Sequence, residues 1–347
     1  MLTVFPAAAT AAVEQSISSE IRRYTDPVTE FPMLRLTSPA YSAWLPAYNQ
    51  QATVRRGNTL LYITDRGGTA QAWRMDTHNG ESRRLTEAQA LDKSSLTLTP
   101  DQRSFCFVDG RSVAIHPLNG GRERVFYRVP DTHEAAGGFS VAHDGSYCTL
   151  AESAGGRYRL RLIRFAGNTA QTFFESEQQI EDVAPRPGTA QLMYRSGGAL
   201  WVATPDGGPG AKLGTAAGEI GPAYWSRDGK AVLYLHLESP GTIRQLDPEM
   251  GKDTLLASTS RFVAFSPNVD DSVFVGVSGS KVSPCVLLLL RSVRRELTLC
   301  EHRSSHPETA NPVFSADSQQ VFFVSDREGR PAIYSMRLER LLEKTEE

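Results

Sequence analysis

One turn recurs seven times along this chain. It reads TPDQ around Asp101, AHDG around Asp144, RPGT around Pro187, SRDG around Asp228, PNVDD around Asp270 and SADS around Asp317, with a weaker RRGN copy around Gly57. Successive copies lie 44, 43, 43, 41, 42 and 47 residues apart. That is the period of a four-stranded propeller blade. Each copy is followed by a short apolar run rich in aromatic and β-branched residues, such as LLYIT, FCFV, AVLYLHL or QVFFVS. These are strand residues bounded by turn residues, and no unit carries a 3.6-residue apolar stripe. A second turn and strand follow in several units, as in DRGGTAQAWRMD and DREGRPAIYSMRL. The spacing therefore predicts an all-β chain: one seven-bladed β-propeller.

A ring of sheets must close, because an open end leaves unpaired backbone N–H and C=O groups. FPMLRLT (Phe31–Thr37) resembles the outer strand GESRRLT but precedes the first blade. It is expected to complete the last blade beside PAIYSMRL. This divides the chain into an N-terminal appendage over 1–23, a single propeller over 24–340, and a charged tail over 341–347.

Charge and composition exclude several classes. Across 347 residues, 37 Lys and Arg nearly balance 39 Asp and Glu, so no global field favours nucleic acid or an anionic membrane. CVLLLL (Cys285–Leu290) is too short to span a bilayer and reads as a buried strand. The N-terminus lacks the basic start of a secretory signal, so a cytoplasmic protein is expected. The four cysteines, Cys106, Cys148, Cys285 and Cys300, form no C-x-x-C pair. Cys106 and Cys148 fall within apolar strands, where a reduced thiol packs as a small hydrophobe. No nucleophile elbow, P-loop or dinucleotide fingerprint occurs.

Beyond the repeat, four phrases are more specific: YTDPVTEFPMLRLTSP (Tyr24–Pro39), ESRRLTEAQALD (Glu81–Asp92), FYRVPDTHE (Phe126–Glu134) and FSADSQQVFFVSDREGRPAIYSM (Phe314–Met336). With them the chain resembles the oligogalacturonate lyases, bacterial seven-bladed propellers, over nearly its whole length. The resemblance implies β-elimination on short uronate oligosaccharides, assisted by a divalent metal, typically manganese. A cation neutralises the uronate carboxylate and the developing enolate while a positioned base removes the C5 proton. It also implies ligand histidines and a glutamine, with a further histidine and an arginine near the reacting carbon.

At those places the residues differ. The histidine-bearing phrase before the last blade corresponds to Thr309, Ala310 and Asn311, and the glutamine upstream of it to His306. The fifth-blade histidine falls on Pro222, the sixth-blade ligand on Arg261 or Phe262, and the arginine on Ala199. Of these only His306 and Asn311 are metal-ligand types. The loop EHRSSHPETANP offers His302, His306 and Asn311 as candidate ligands. Among the other histidines, His78, His116 and His143 are expected at the surface, and His236 as a hydrogen-bonded strand residue. For substrate, Trp44, Tyr48 and Asn49 in YSAWLPAYNQQ, together with His133, are candidates to stack on and hydrogen-bond a sugar. Trp44 reads equally as a plug between blades. Phe139, Trp225, Phe265 and Phe314 recur before the turns and read as packing. The expected function is uronate-oligosaccharide handling with divergent metal and base positions. The rival is a non-catalytic propeller, TolB-like in character, that binds a saccharide or a protein on its central face.

Overall fold

In a computed structural model of the chain, residues 16–338 are described, apart from 56, 206 and 207. The 341–347 tail lies outside them. Seven antiparallel sheets follow one another in chain order, and the only helical piece among the described residues is a 3-10 turn at Pro307–Thr309. Blade 2 is representative, with Thr97–Leu98 innermost, then Ser104–Asp109, Ser112–Pro117 and Arg124–Arg128 outermost.

The strand alternation explains why the second strand of each blade is apolar throughout. In SFCFVD, Phe105 and Phe107 pack toward blade 1, while Cys106 and Val108 pack toward blade 3. Blade 5 repeats the rule, with Leu233 and Leu235 toward blade 6 and Val232 and Tyr234 toward blade 4. Seven hydrophobic clusters result, each filling one gap between neighbouring blades. The cluster joining blade 7 to blade 1 holds Phe322, Val324 and Ile333 against Leu60, Tyr62 and Trp73. That last cluster makes the array a closed ring. All four cysteines are buried and unbridged within this packing.

The recurrent aspartate has a local cause. Its side chain accepts the backbone N–H two residues on, at Arg103 (3.1 Å), Ser146 (2.9 Å), Lys230 (3.1 Å), Ser272 (3.1 Å) and Gln319 (3.0 Å). This side-chain mimic of a backbone turn joins the inner strand to the second strand. A partner hydroxyl at Thr99, Ser226 or Ser315 adds a further bond.

In blade 7, Pro32–Arg35 lies beside Ala332–Arg337, with Leu34 opposite Ser335 and Arg35 opposite Tyr334. Arg22–Thr25 pairs with Pro32–Arg35 and forms the outer edge. Ser16–Ile17 adds a fifth strand to blade 1. The described part of the 1–23 segment thus contributes edge strands to two blades. A polar clasp locks the seam. Glu328 accepts from Arg35, from Tyr24 Oη (3.0 Å) and from Tyr334 Oη (2.9 Å). Buried Asp26 accepts the N–H groups of Val28 (3.1 Å) and Thr29 (2.9 Å), and with its other oxygen that of Glu301 in blade 6 (3.0 Å).

Candidate functional site at the hub

The inner strand of blade 1 is interrupted. Trp44 faces Ile63, but the next pairing to Ile63's side is Thr53 with Leu60. Nine steps along the inner strand therefore span three on its neighbour, and LPAYNQQ (Leu45–Gln51) loops out of the blade as a strap across the hub. Its contacts reach five other blades. Gln51 N–H donates to Thr97 Oγ1 of blade 2 at 3.1 Å. Gln50 Nε2 donates to the Phe139 carbonyl of blade 3 at 2.7 Å. Tyr48 lies beside Asp182 and Arg195 of blade 4 and packs edge-on against Tyr224 of blade 5, centroids 5.3 Å apart. The Pro46 carbonyl accepts Asn311 Nδ2 of blade 7.

Tyr48, Asp182, Arg195 and Tyr224 form the ionisable centre of this arrangement. Glu181–Pro185 is the inner strand of blade 4, and a register shift between Glu181 and Ala184 sets Asp182 at φ 49, in the left-handed region. Asp182 Oδ2 accepts Arg195 Nε at 2.8 Å. The other two nitrogens of Arg195 reach into blade 5, donating to the carbonyls of Ile220 (2.9 Å) and Gly221 (2.6 Å). Tyr224 Oη donates to the Phe265 carbonyl at 2.6 Å. The Tyr48 hydroxyl is shut off from solvent and within reach of both Asp182 and Arg195, but makes a well-formed hydrogen bond to neither. Burial, reinforced by the Asp182 charge, pushes the Tyr48 phenol well above its ordinary range. Burial does the same for Tyr224. Both phenols stay protonated at neutral pH, which makes them hydrogen-bond donors and poor bases.

The residues singled out from the sequence divide sharply. Trp44 sits at the hub rim with the Lys93 ammonium 3.9 Å from its ring centroid, and its other side packs on the blade 1–blade 2 cluster. Asn49 makes no side-chain hydrogen bond to a described residue. His133 lies away from the strap, in a groove between blades 2 and 3 with Arg111, Glu134 and Tyr158, and its Nδ1 meets Thr132 Oγ1 at 2.8 Å.

The proposed ligand trio does not come together. His302 is buried, and both its nitrogens are engaged: Nδ1 accepts Ser304 N–H (3.0 Å), so Nε2 donates to the Ser278 carbonyl (3.0 Å). Burial lowers its pKa and fixes the neutral ring in this structural role. His306 is exposed, with only Glu308 at 3.3 Å. Asn311 is spent on the strap through Nδ2, which leaves its buried Oδ1 without a partner. Among the described residues, no group of three or more His, Cys, Asp or Glu side chains is placed to hold an ion.

At the other divergent positions, Ala310 is fully buried and brings no donor side chain. Phe262 is buried over Gly276, where a Cβ would come within 2.0 Å of its ring. Arg261 is exposed. His116 corrects an expectation: it is buried against Phe105 with Nδ1 at the Pro117 carbonyl (2.8 Å), because its strand position faces a blade interface. His236 is hydrogen-bonded in its strand, to the Ala217 carbonyl at 2.7 Å. Asp182 and Arg195 escaped notice in the sequence. The strand register pairs Arg195 with Glu181, and only the irregularity beside it brings Asp182 to the guanidinium.

No family model matches the chain. It is 23% identical to an oligogalacturonide lyase of Pectobacterium atrosepticum over 90% of this chain and 94% of that protein. It is 22% identical to an oligogalacturonate lyase of Dickeya dadantii over 92% and 96%. The chain is thus similar to oligogalacturonate lyases over nearly their whole length. Its fold is that of an oligogalacturonate lyase solved in complex with manganese, at a TM-score of 0.87, 21% identity and coverage of 94% of this chain and 98% of that one. The match to that solved lyase runs over the whole length of the propeller. No helix among the described residues is long and apolar enough to cross a membrane.

Proposed function

We propose that this propeller binds a short uronate oligosaccharide on its central face, without a divalent cation and without β-elimination. The uronate class is supported by the family relation along nearly the entire chain. The observation that carries the metal-free reading is the use made of Asn311. The one ligand-type side chain in the Thr309–Asn311 stretch holds the strap by its amide nitrogen, and buried Ala310 beside it has nothing to donate. Manganese needs several oxygen or imidazole donors converging on one point, whereas Asn311 is turned to the strap and His306 is exposed beside Glu308 alone. The hub also lacks a base: its phenols are held protonated, and its carboxylate, Asp182, is paired with Arg195. What remains is recognition chemistry, with Trp44 and Lys93 at the rim offering an aromatic face and an ammonium to an acidic sugar.

The test is calorimetric titration with trigalacturonate, with and without chelator, alongside ultraviolet detection of an unsaturated product with and without added manganese. Saturable, chelator-insensitive binding and no product is the expected result. A chelator-sensitive rise in absorbance would restore the lyase reading. Absence of binding would leave the central face to a protein partner.

A further inference from the structure

The Asp182–Arg195 pair has the geometry of an occupied carboxylate seat. Arg195 presents two of its nitrogens to backbone carbonyls of blade 5, which fixes the guanidinium plane and leaves the Nε edge as the one directed at a carboxylate. A rigid guanidinium edge of this kind is the standard partner of a planar anion. Asp182 takes it from a left-handed backbone conformation that is strained for a residue with a Cβ. Its side chain remains 30% exposed, so the pair opens toward solvent. The phenol donor of Tyr48 lies at the same pair with no acceptor of good geometry.

We infer that Asp182 is an internal stand-in for a ligand carboxylate, and that a uronate displaces it from Arg195 and accepts a second hydrogen bond from Tyr48. This rests on the reading of the chain as a uronate binder and names the seat for the acid group. Two carboxylates cannot share the Nε edge, so the affinity of the free seat is reduced by the fraction of time Asp182 fills it. The device discriminates as well. A neutral hexose has no charge to pair with Arg195, so it gains nothing from the seat whether or not Asp182, its guard, fills it.

The test compares the wild type with Asp182→Gly and Asp182→Asn, using galacturonate, its neutral twin galactose, and trigalacturonate. Glycine and asparagine both tolerate positive φ, so each variant should fold, and thermal melts verify this. Galacturonate is expected to bind both variants at least about tenfold more tightly than the wild type, with galactose unchanged. The Arg195 Nε–H resonance should shift on adding galacturonate to the variants. Unchanged or weaker galacturonate binding, or an Arg195 resonance that does not move, overturns the inference. The two readings separate cleanly. Wild type that binds trigalacturonate, with variants no better for galacturonate, sinks the guard alone. Wild type that ignores trigalacturonate, with variants that gain galacturonate, sinks the function proposed above and keeps the guard.

Discussion

The seam that closes the ring and the strap that crosses its hub are built from similar parts and finished differently. At the seam both carboxylates are fully met, and among its described residues only Arg35 Nε is buried without a partner. Glu328 is met by one guanidinium and two phenols, and Asp26 spends both oxygens on backbone N–H groups from two blades. At the hub, two polar atoms are buried with no partner, Tyr48 Oη and Asn311 Oδ1, both at contacts of the strap. The seam is the better-satisfied joint, and the hub leaves two contacts of its strap unmet.

Deleting residues 1–35 should break the comparison most forcefully. It removes the two strands that cover Ala332–Arg337, baring an apolar sheet edge. Aggregation on size exclusion is expected. A deletion variant that elutes as the wild type does, with an unchanged melting temperature, would show that closure does not depend on this seam.

Single residues should rank in the same order. Arg35→Ala strips the buried cation from Glu328 and is expected to cost about 3 kcal/mol, at the low end for a broken buried pair because Glu328 is partly exposed. Asn311→Ala removes one hydrogen bond and an orphaned oxygen together, so about 1 kcal/mol or less is expected. Denaturant unfolding measures both. Equal costs would mean that the strap is as firmly joined as the seam.

Acid should loosen the seam. Burial pushes the Glu328 carboxyl up, but the Tyr334 and Tyr24 hydroxyls and the Arg35 charge together hold it below its ordinary range. The turn carboxylates of Asp101, Asp144, Asp228 and Asp270 are lowered too, by side-chain hydroxyl and backbone N–H bonds at their turns. A carboxyl whose folded pKa lies below its unfolded one contributes stability above the unfolded value and loses it as pH falls through the folded value. The melting temperature should therefore fall as pH drops below about 4. Glu328→Gln should flatten that fall. An unchanged slope in this variant would remove Glu328 from the acid response.

The sequence was legible where structure repeats and opaque where it departs from repetition. The Asp turns and two-sided apolar strands announced seven blades because each blade solves the same local problem: an Asx turn between an inner strand and one packed on both faces. The family-like phrases at the two ends proved to be seam. Asp26, Arg35, Glu328 and Tyr334 all lie within them, and their contacts join strands rather than hold a ligand. Tyr48 was visible as a hub residue because it sits in an aromatic-rich break between strands. Asp182 and Arg195 were not, because nothing in a strand's sequence says which way a bulge turns its acid. His302 misled for the opposite reason. A histidine in a polar loop looks free until the fold shows both ring nitrogens engaged by backbone.

The smallest effect gives the finest test. Tyr48→Phe removes a hydroxyl that is buried without a well-formed hydrogen bond and keeps the ring against Tyr224. An unsatisfied buried hydroxyl carries its desolvation cost in the folded state, so its deletion should leave stability within about 0.5 kcal/mol of the wild type, on the stabilising side. The same change should weaken galacturonate binding to the Asp182→Gly background, where the phenol has an acceptor to meet. A loss of stability above about 1 kcal/mol in the free protein would mean that Asp182 or Arg195 already satisfies the phenol. The hub would then be as fully joined as the seam, and the contrast between them would fail at the atom where it is sharpest.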